Sequence, residues 1–212
     1  MQLLQIVLVA VLAYMLGSVP TGLLVARLKG VDLMSEGSGK TGATNTLNAV
    51  GPAAAATVLA VDLVKGVLAV LLAYLFTWDE TGWLAAAVTL AGAAVILGHN
   101  YSLGVRLLSG RWGGGRGIVP ALGAMIMLHP FVAFAAVPVA LLTIAVTRLM
   151  VIGALAGTIG AVVVAVILVA GGSLSAWFLP AVMLWAVLVT LGFRDNLQRL
   201  LRGAEPKLGL PR

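Results

Sequence analysis

The sequence predicts an all-α, polytopic membrane protein of about seven transmembrane helices with cytoplasmic glycine-rich loops. Three observations predict it. The chain is 61% hydrophobic and only 9% charged, with a mean hydropathy of +1.12, more apolar surface than a water-soluble domain of this length hides. Its apolar residues fall in runs near the roughly 20 residues needed to cross a hydrocarbon core of about 30 Å. Its basic residues gather in some connecting segments and avoid others, the asymmetry that orients membrane proteins.

The first run, residues 3–24, lacks a basic leader and is too long for a cleaved signal, so it reads as a retained span. Pro20 has no amide proton, which predicts a kink near the membrane face. Residues 53–76 form the second span and carry Asp62 and Lys65 inside it. A short turn with Asp79 and Glu80 leads to the third span, 83–97, and then to a polar, glycine-rich segment, 98–117. Residues 118–128 are apolar but short, about 16 Å as helix. His129-Pro130 ends that run, and spans at 131–147, 149–170 and 174–191 follow. The tail, 194–212, is basic, and the whole chain, 1–212, reads as a single unit.

Charge decides whether 118–128 crosses. If it does, Arg27, Lys29, Lys40, Arg106, Arg111, Arg116, Arg148 and the basic residues of the tail share one side, with Asp79, Glu80 and His129 on the other. If it does not, the basic residues are split between the two faces. The positive-inside rule therefore predicts seven crossings, an outer amino terminus and a cytoplasmic carboxyl terminus. Three polar segments then meet on the cytoplasmic face.

The first of them, EGSGKTGATN at 36–45, places Gly37, Gly39 and Gly42 among Ser38, Lys40, Thr41, Thr44 and Asn45. Amides and hydroxyls converging around small residues suit a phosphate. The spacing is not that of a nucleotide-binding P-loop, and a plain water-facing loop is the competing reading. Asp62 and Lys65 lie three residues apart on one helix face and can pair. Charges at membrane depth are costly unless paired or facing a wet cavity, so they are either a functional pair or a packing device.

The second segment holds His99, Arg106, Arg111 and a GGGRG run of Gly113, Gly114, Gly115, Arg116 and Gly117. Such a run before a helix start resembles an anion nest with a guanidinium beside it. Arg106 and Arg111, among Leu and Trp, fit attraction to anionic headgroups better. The tail places Arg194, Asp195 and Asn196 where the last span ends, with Leu197, Leu200 and Leu201 at amphipathic spacing. Arg199, Arg202 and Lys207 read as surface charge, while Asn196 and Arg194 can complete a phosphate or glycerol site.

There is no cysteine, and two histidines without clustered carboxylates predict no metal and no cofactor. The residues alone thus predict a cationic, glycine-lined cytoplasmic pocket for a phosphorylated ligand, with no nucleic acid as partner.

Taken in order, GSVPTG at 17–22, EGSGKTGATN, DLVKG at 62–66, GHNY at 98–101, GGGRG and RDNLQRLLRGAE resemble the bacterial acyl-phosphate:glycerol-3-phosphate acyltransferases. The resemblance runs from Gly17 to Glu205. It implies a seven-span enzyme of phospholipid synthesis that moves an acyl group from acyl phosphate to the 1-hydroxyl of glycerol 3-phosphate. Lysophosphatidic acid and phosphate are the products, and another enzyme supplies the acyl phosphate. The implied catalytic residues are Ser38, Lys65, His99 and Arg116. The implied substrate-binding residues are Gly37, Gly39, Lys40, Thr44, Asn45, Asp62, Gly114, Gly115, Arg194 and Asn196.

Several positions depart from the family pattern. Lys40 stands for an Asn, Asn48 for a basic residue, Gly113 and Arg116 for two Lys, and Phe193 for a His. The glycine-rich segment is also longer. Because acyl phosphate carries a good leaving group, positioning two phosphorylated substrates supplies most of the catalysis. The donor phosphate is a candidate base, and His99 is the one histidine on that face. A transporter of phosphorylated lipids would share the basic cavity but should show polar residues on the outer side, which is nearly bare. A catalytically altered relative that binds or transports a phosphorylated lipid or polyol phosphate is the alternative.

Overall fold

A computed structural model describes residues 2–77 and 82–208; Asp79, Glu80 and the basic Arg212 of the predicted topology lie outside the described residues. Among the described residues the chain is all helical. The first span is broken as Pro20 predicts, into α1 (Gln2–Ser18) and α2 (Thr21–Leu28). A short helix, α3 (Ala43–Ala49), follows the first glycine-rich loop, and α4 (Pro52–Phe76) begins with its proline in the first turn, where no amide is needed.

The third span, α5 (Gly82–Asn100), runs three residues past its expected end, so His99 and Asn100 belong to the helix and not to the loop. The 98–117 segment is not a plain loop either. It contains α6 (Leu103–Ser109), started by Ser102, whose hydroxyl accepts from the Val105 amide, and ended by Gly110 in the left-handed region. Then come α7 (Ile118–Leu128), α8 (Pro130–Thr147), α9 (Met150–Ala170), a 3₁₀ turn (Ala176–Phe178), α10 (Leu179–Gly192) and α11 (Arg194–Leu201).

Among the described residues, five helical stretches are long and apolar enough to cross a membrane: Gln2–Leu28, Pro52–Phe76, Gly82–Ser109, Pro130–Thr147 and Met150–Ala170. Ala176–Gly192 qualifies as a sixth only together with Arg194–Leu201, which bends away by 59°. By length alone α7, with eleven residues, is too short. These spans make the protein a multi-pass membrane protein.

Three helix pairs make the most extensive contacts: α1 with α5, α4 with α7, and α8 with α9. Small residues let the backbones touch, as they do wherever lipid supplies no hydrophobic drive between helices. A β-carbon added at Gly17 or Gly98 would overlap the backbone of the facing helix in the first pair, and one at Gly66 or Gly123 would do so in the second. Trp185 of α10 is fully buried against Gly92 of α5, and its indole donates to the Thr89 carbonyl at 3.0 Å. On α11, Leu197 and Leu200 pack against the core as expected, but Leu201 is 87% exposed.

Candidate active site

The loop at 36–45 is built around Asn45, which is buried. Its side-chain amide donates to the carbonyls of Leu33, Glu36 and Lys40 at 3.0, 3.1 and 2.9 Å, and its oxygen accepts from the Ser38 amide at 3.1 Å. Asn45 therefore folds the loop, which turns through positive φ at Gly37 and Gly39. The hydroxyls of Ser38 and Thr44 make no hydrogen bond to the described residues, and both residues line the cavity described below.

The glycine strap at 113–115 is laced between α5 and this loop. Ser102 donates to the Gly113 carbonyl at 2.9 Å, Gly115 donates to the His99 carbonyl at 2.9 Å, and Thr41 donates to the Gly114 carbonyl at 3.1 Å. A β-carbon at Gly114 would overlap the His99 carbonyl, and one at Gly115 would overlap the His99 imidazole. Only glycine lets the strap lie this close to the helix end.

Arg116 leaves the strap toward the tail. Its Nε donates to Asn196 Oδ1 at 2.8 Å, and its Cζ stands 5.4 Å from the centre of the buried Phe193 ring. Asn196 donates in turn to Glu205 Oε1 at 2.5 Å, and Arg199 Nε donates to Glu205 Oε2 at 2.9 Å. Burial holds the Arg116 guanidinium below its ordinary pKa, Arg199 lowers it further, and Glu205 and Asp195 act the other way. A guanidinium stays charged at neutral pH, so the site gains by admitting an anion.

These groups wall a cavity of about 930 Å³. Glu36, Gly37, Ser38, Thr44, Asn45, Asn48 and Ala49 form one side. Arg116, Met150, Asn196, Arg199 and residues 204–208 form the other. A second hollow, about 340 Å³ and almost wholly apolar, runs along α9 and α10 and is lined by residues such as Ile159, Val163 and Val187.

Of the expected site residues, Gly37, Ser38, Thr44, Asn45, Arg116 and Asn196 line the cavity. Gly39, Lys40, Gly114, Gly115 and Arg194 do not. Lys40 stands 3.6 Å from Asp195, and Asp195 also faces Arg194 at 3.5 Å. Asp62, Lys65 and His99 form a separate buried cluster, with Lys65 Nζ 2.7 Å from Asp62 Oδ1 and His99 Nδ1 3.8 Å from the same oxygen. Lys65, expected at a phosphate, does not line this cavity: its ammonium is buried and bonded to the Val19 carbonyl, Thr21 Oγ1 and Asp62.

Arg199 was expected on the solvated face and instead lines the cavity, paired with Glu205, whose side chain is only 4% exposed. Glu205, Lys207 and Asn48 also reach the wall. Gly203, at φ 68°, turns the chain back after α11 and carries Glu205 over the site. A glycine followed by a lone carboxylate after a basic helix is the one signal in the sequence that points to this return.

The family model for glycerol-3-phosphate acyltransferase matches residues 7–203. The glycerol-3-phosphate acyltransferase of Thermus thermophilus is 40% identical over 198 residues, covering 93% of this chain and 92% of that protein. That of Halalkalibacterium halodurans is 40% identical over 207 residues, with the same coverage. The crystal structure of PlsY, an integral membrane glycerol 3-phosphate acyltransferase, in its glycerol 3-phosphate form aligns with a TM-score of 0.80 at 31% identity, covering 96% of each chain. Its lysophosphatidic acid form aligns with a TM-score of 0.79 at 30% identity, covering 96% of this chain and 95% of that one.

Proposed function

The chain belongs to the glycerol-3-phosphate acyltransferase family, and on that premise we propose that it acylates the 1-hydroxyl of glycerol 3-phosphate from acyl phosphate. It is a membrane acyltransferase of phospholipid synthesis. The observation that carries the reading is the cavity with Arg116 and Arg199 on one wall and the free hydroxyls of Ser38 and Thr44 on the other. Two phosphorylated substrates repel each other, and such a cavity screens that repulsion while its donors hold them in line.

Arg116 is anchored through Nε, so its two terminal amino groups remain to take a phosphate in a forked contact. The glycerol hydroxyl oxygen attacks the acyl carbon and the bond from that carbon to the phosphate oxygen breaks. The proton passes to the departing phosphate, giving lysophosphatidic acid and inorganic phosphate. The assignment of the base to the donor phosphate rests on His99, which lies against Asp62 and Gly115 and does not line the cavity. The apolar hollow along α9 and α10, whose Thr190 and Leu191 stand within a turn of Phe193, suits the acyl chain. A separate enzyme must form the acyl phosphate.

The same geometry supports seven crossings. Arg116 and Asn196 touch, so an even number of crossings separates them, and α7, α8, α9 and α10 lie between. With α7 crossing, the cavity and tail are cytoplasmic and the amino terminus is outside.

The test is incubation of the purified protein with palmitoyl phosphate and glycerol 3-phosphate. Release of phosphate together with a lysolipid is expected, and palmitoyl-CoA should give none. Turnover with palmitoyl-CoA alone would overturn the donor assignment. Glycerol 3-phosphate binding without turnover would favour a catalytically altered relative.

A further inference from the structure

We propose that Asp62 and Lys65 are positioning residues, which set the place of the Arg116 strap through His99 and never touch substrate. This inference rests on the reading of the cavity as the active site.

The ammonium of Lys65 has three N–H groups and all are spent at 2.7 Å, on the Val19 carbonyl, Thr21 Oγ1 and Asp62 Oδ1. Val19 and Thr21 flank Pro20, where α1 ends and α2 begins. Carbonyls at the end of a helix lack intrahelical partners, and at membrane depth that is costly. The Val19 carbonyl accepts from the Thr21 amide at 3.0 Å and Lys65 adds a second donor to it, so one side chain from α4 ties together the two halves of the broken first span. No N–H remains for a phosphate unless one of these bonds is given up.

Asp62 passes the constraint on. The oxygen that accepts from Lys65 also stands 3.8 Å from His99 Nδ1. The other ring nitrogen, Nε2, lies where a side chain at Gly115 would have to go, and the His99 carbonyl accepts from the Gly115 amide at 2.9 Å. Gly115 is bonded directly to Arg116. The path from the helix break to the guanidinium is thus Lys65, Asp62, His99, Gly115, Arg116, each joined to the next by a contact or a covalent bond.

A buried ion pair behaves in a telling way when cut. Losing one partner strands the other charge, whereas replacing both by neutral groups is often close to neutral. The experiment is a double-mutant cycle on purified protein, with palmitoyl phosphate and glycerol 3-phosphate as substrates. Wild-type turnover tests the active-site reading itself, and only given that turnover does the cycle test this inference. Lys65→Met should lose about a hundredfold in kcat/KM, part of it as a raised KM for glycerol 3-phosphate. Asp62→Asn combined with Lys65→Met should regain at least about tenfold over Lys65→Met alone, with the raised KM reversed.

If the double variant folds and is no better than Lys65→Met, substrate needs the ammonium itself and the proposal is wrong. Thr21→Val decides the matter should the charge variants not fold. It removes one partner of Lys65 and leaves the charge. A severalfold rise in KM is expected, and unchanged kinetics would overturn the proposal.

Discussion

Arg116 Nε donates to Asn196 Oδ1 at 2.8 Å across eighty residues of sequence. This bond joins the end of the glycine strap to the tail helix, and it orients the Arg116 side chain. One edge of the guanidinium is fixed, one face rests on Phe193, and the terminal amino groups are left over. Asn196 is held in turn by Glu205, which also holds Arg199. Arg116, Arg199 and Lys207 therefore share a single wall with one carboxylate, Glu205, and the proposed phosphate would offset that excess of positive charge.

Replacing Arg116 should show this division of labour. Arg116→Gln loses a charge-assisted contact worth about 1.5–3 kcal/mol, so kcat/KM for glycerol 3-phosphate should fall by more than about tenfold. Arg116→Lys should fall between wild type and Gln, because an ammonium cannot fork a phosphate while bonding Asn196. Steady-state kinetics at fixed palmitoyl phosphate measure both. A Gln variant within about twofold of wild type would contradict the assignment.

Arg199 and Arg202 share a helix and its boundary but not a role. Arg199 lines the cavity and pairs with Glu205, while Arg202 is exposed. Arg199→Gln should cost about tenfold in turnover, and Arg202→Gln less than about twofold. Equal losses, reproduced by added salt, would mean that only general surface charge matters.

The strap gives a paired test by neighbouring glycines. An added methyl at Gly114 would strike the His99 backbone, which cannot give way. At Gly113 it would meet the end of the Met34 side chain at 3.0 Å, which can swing aside. Gly114→Ala should abolish turnover, and Gly113→Ala should keep at least about a third of it. Thermal midpoints in detergent will separate loss of fold from loss of the site.

Topology is checked by single cysteines in intact cells, since the chain has none of its own. Cysteine at Ser173, exposed after α9, should react with an impermeant maleimide. Cysteine at Arg111 or Ala204, both exposed on the cavity side, should not. Reaction of Ser173 and Arg111 positions alike would remove the α7 crossing.

Much of the fold was legible because membrane spans are written in composition. The runs at 53–76, 118–128 and 131–147 became helices within a residue or so of their expected ends. Pro20 broke the first span because a missing amide is a local fact. The end of α5 was misplaced, since Gly98, His99 and Asn100 look like loop residues. They are helical because Gly98 packs on the Tyr14 backbone and the His99 carbonyl receives the strap. Polarity there reflects a buried site and not water.

By itself, then, the sequence determined the class of protein, the approximate place of its long helices and the polar loops that meet at the cavity, though not α3, α6 or the late start of α10. Hydrophobic length, proline chemistry and charge asymmetry act over a turn or two of chain, so they can be read without coordinates. Only the tertiary structure decided which partners each charge finds. Lys65, expected at the phosphate, is spent on the broken first span, and Arg199, expected in water, stands in the cavity wall. Glu205 reaches Arg199 and Asn196 because Gly203 reverses the chain after α11. A long side chain can serve any partner within its reach, and which partner lies within reach is fixed by helix packing between residues far apart in the chain.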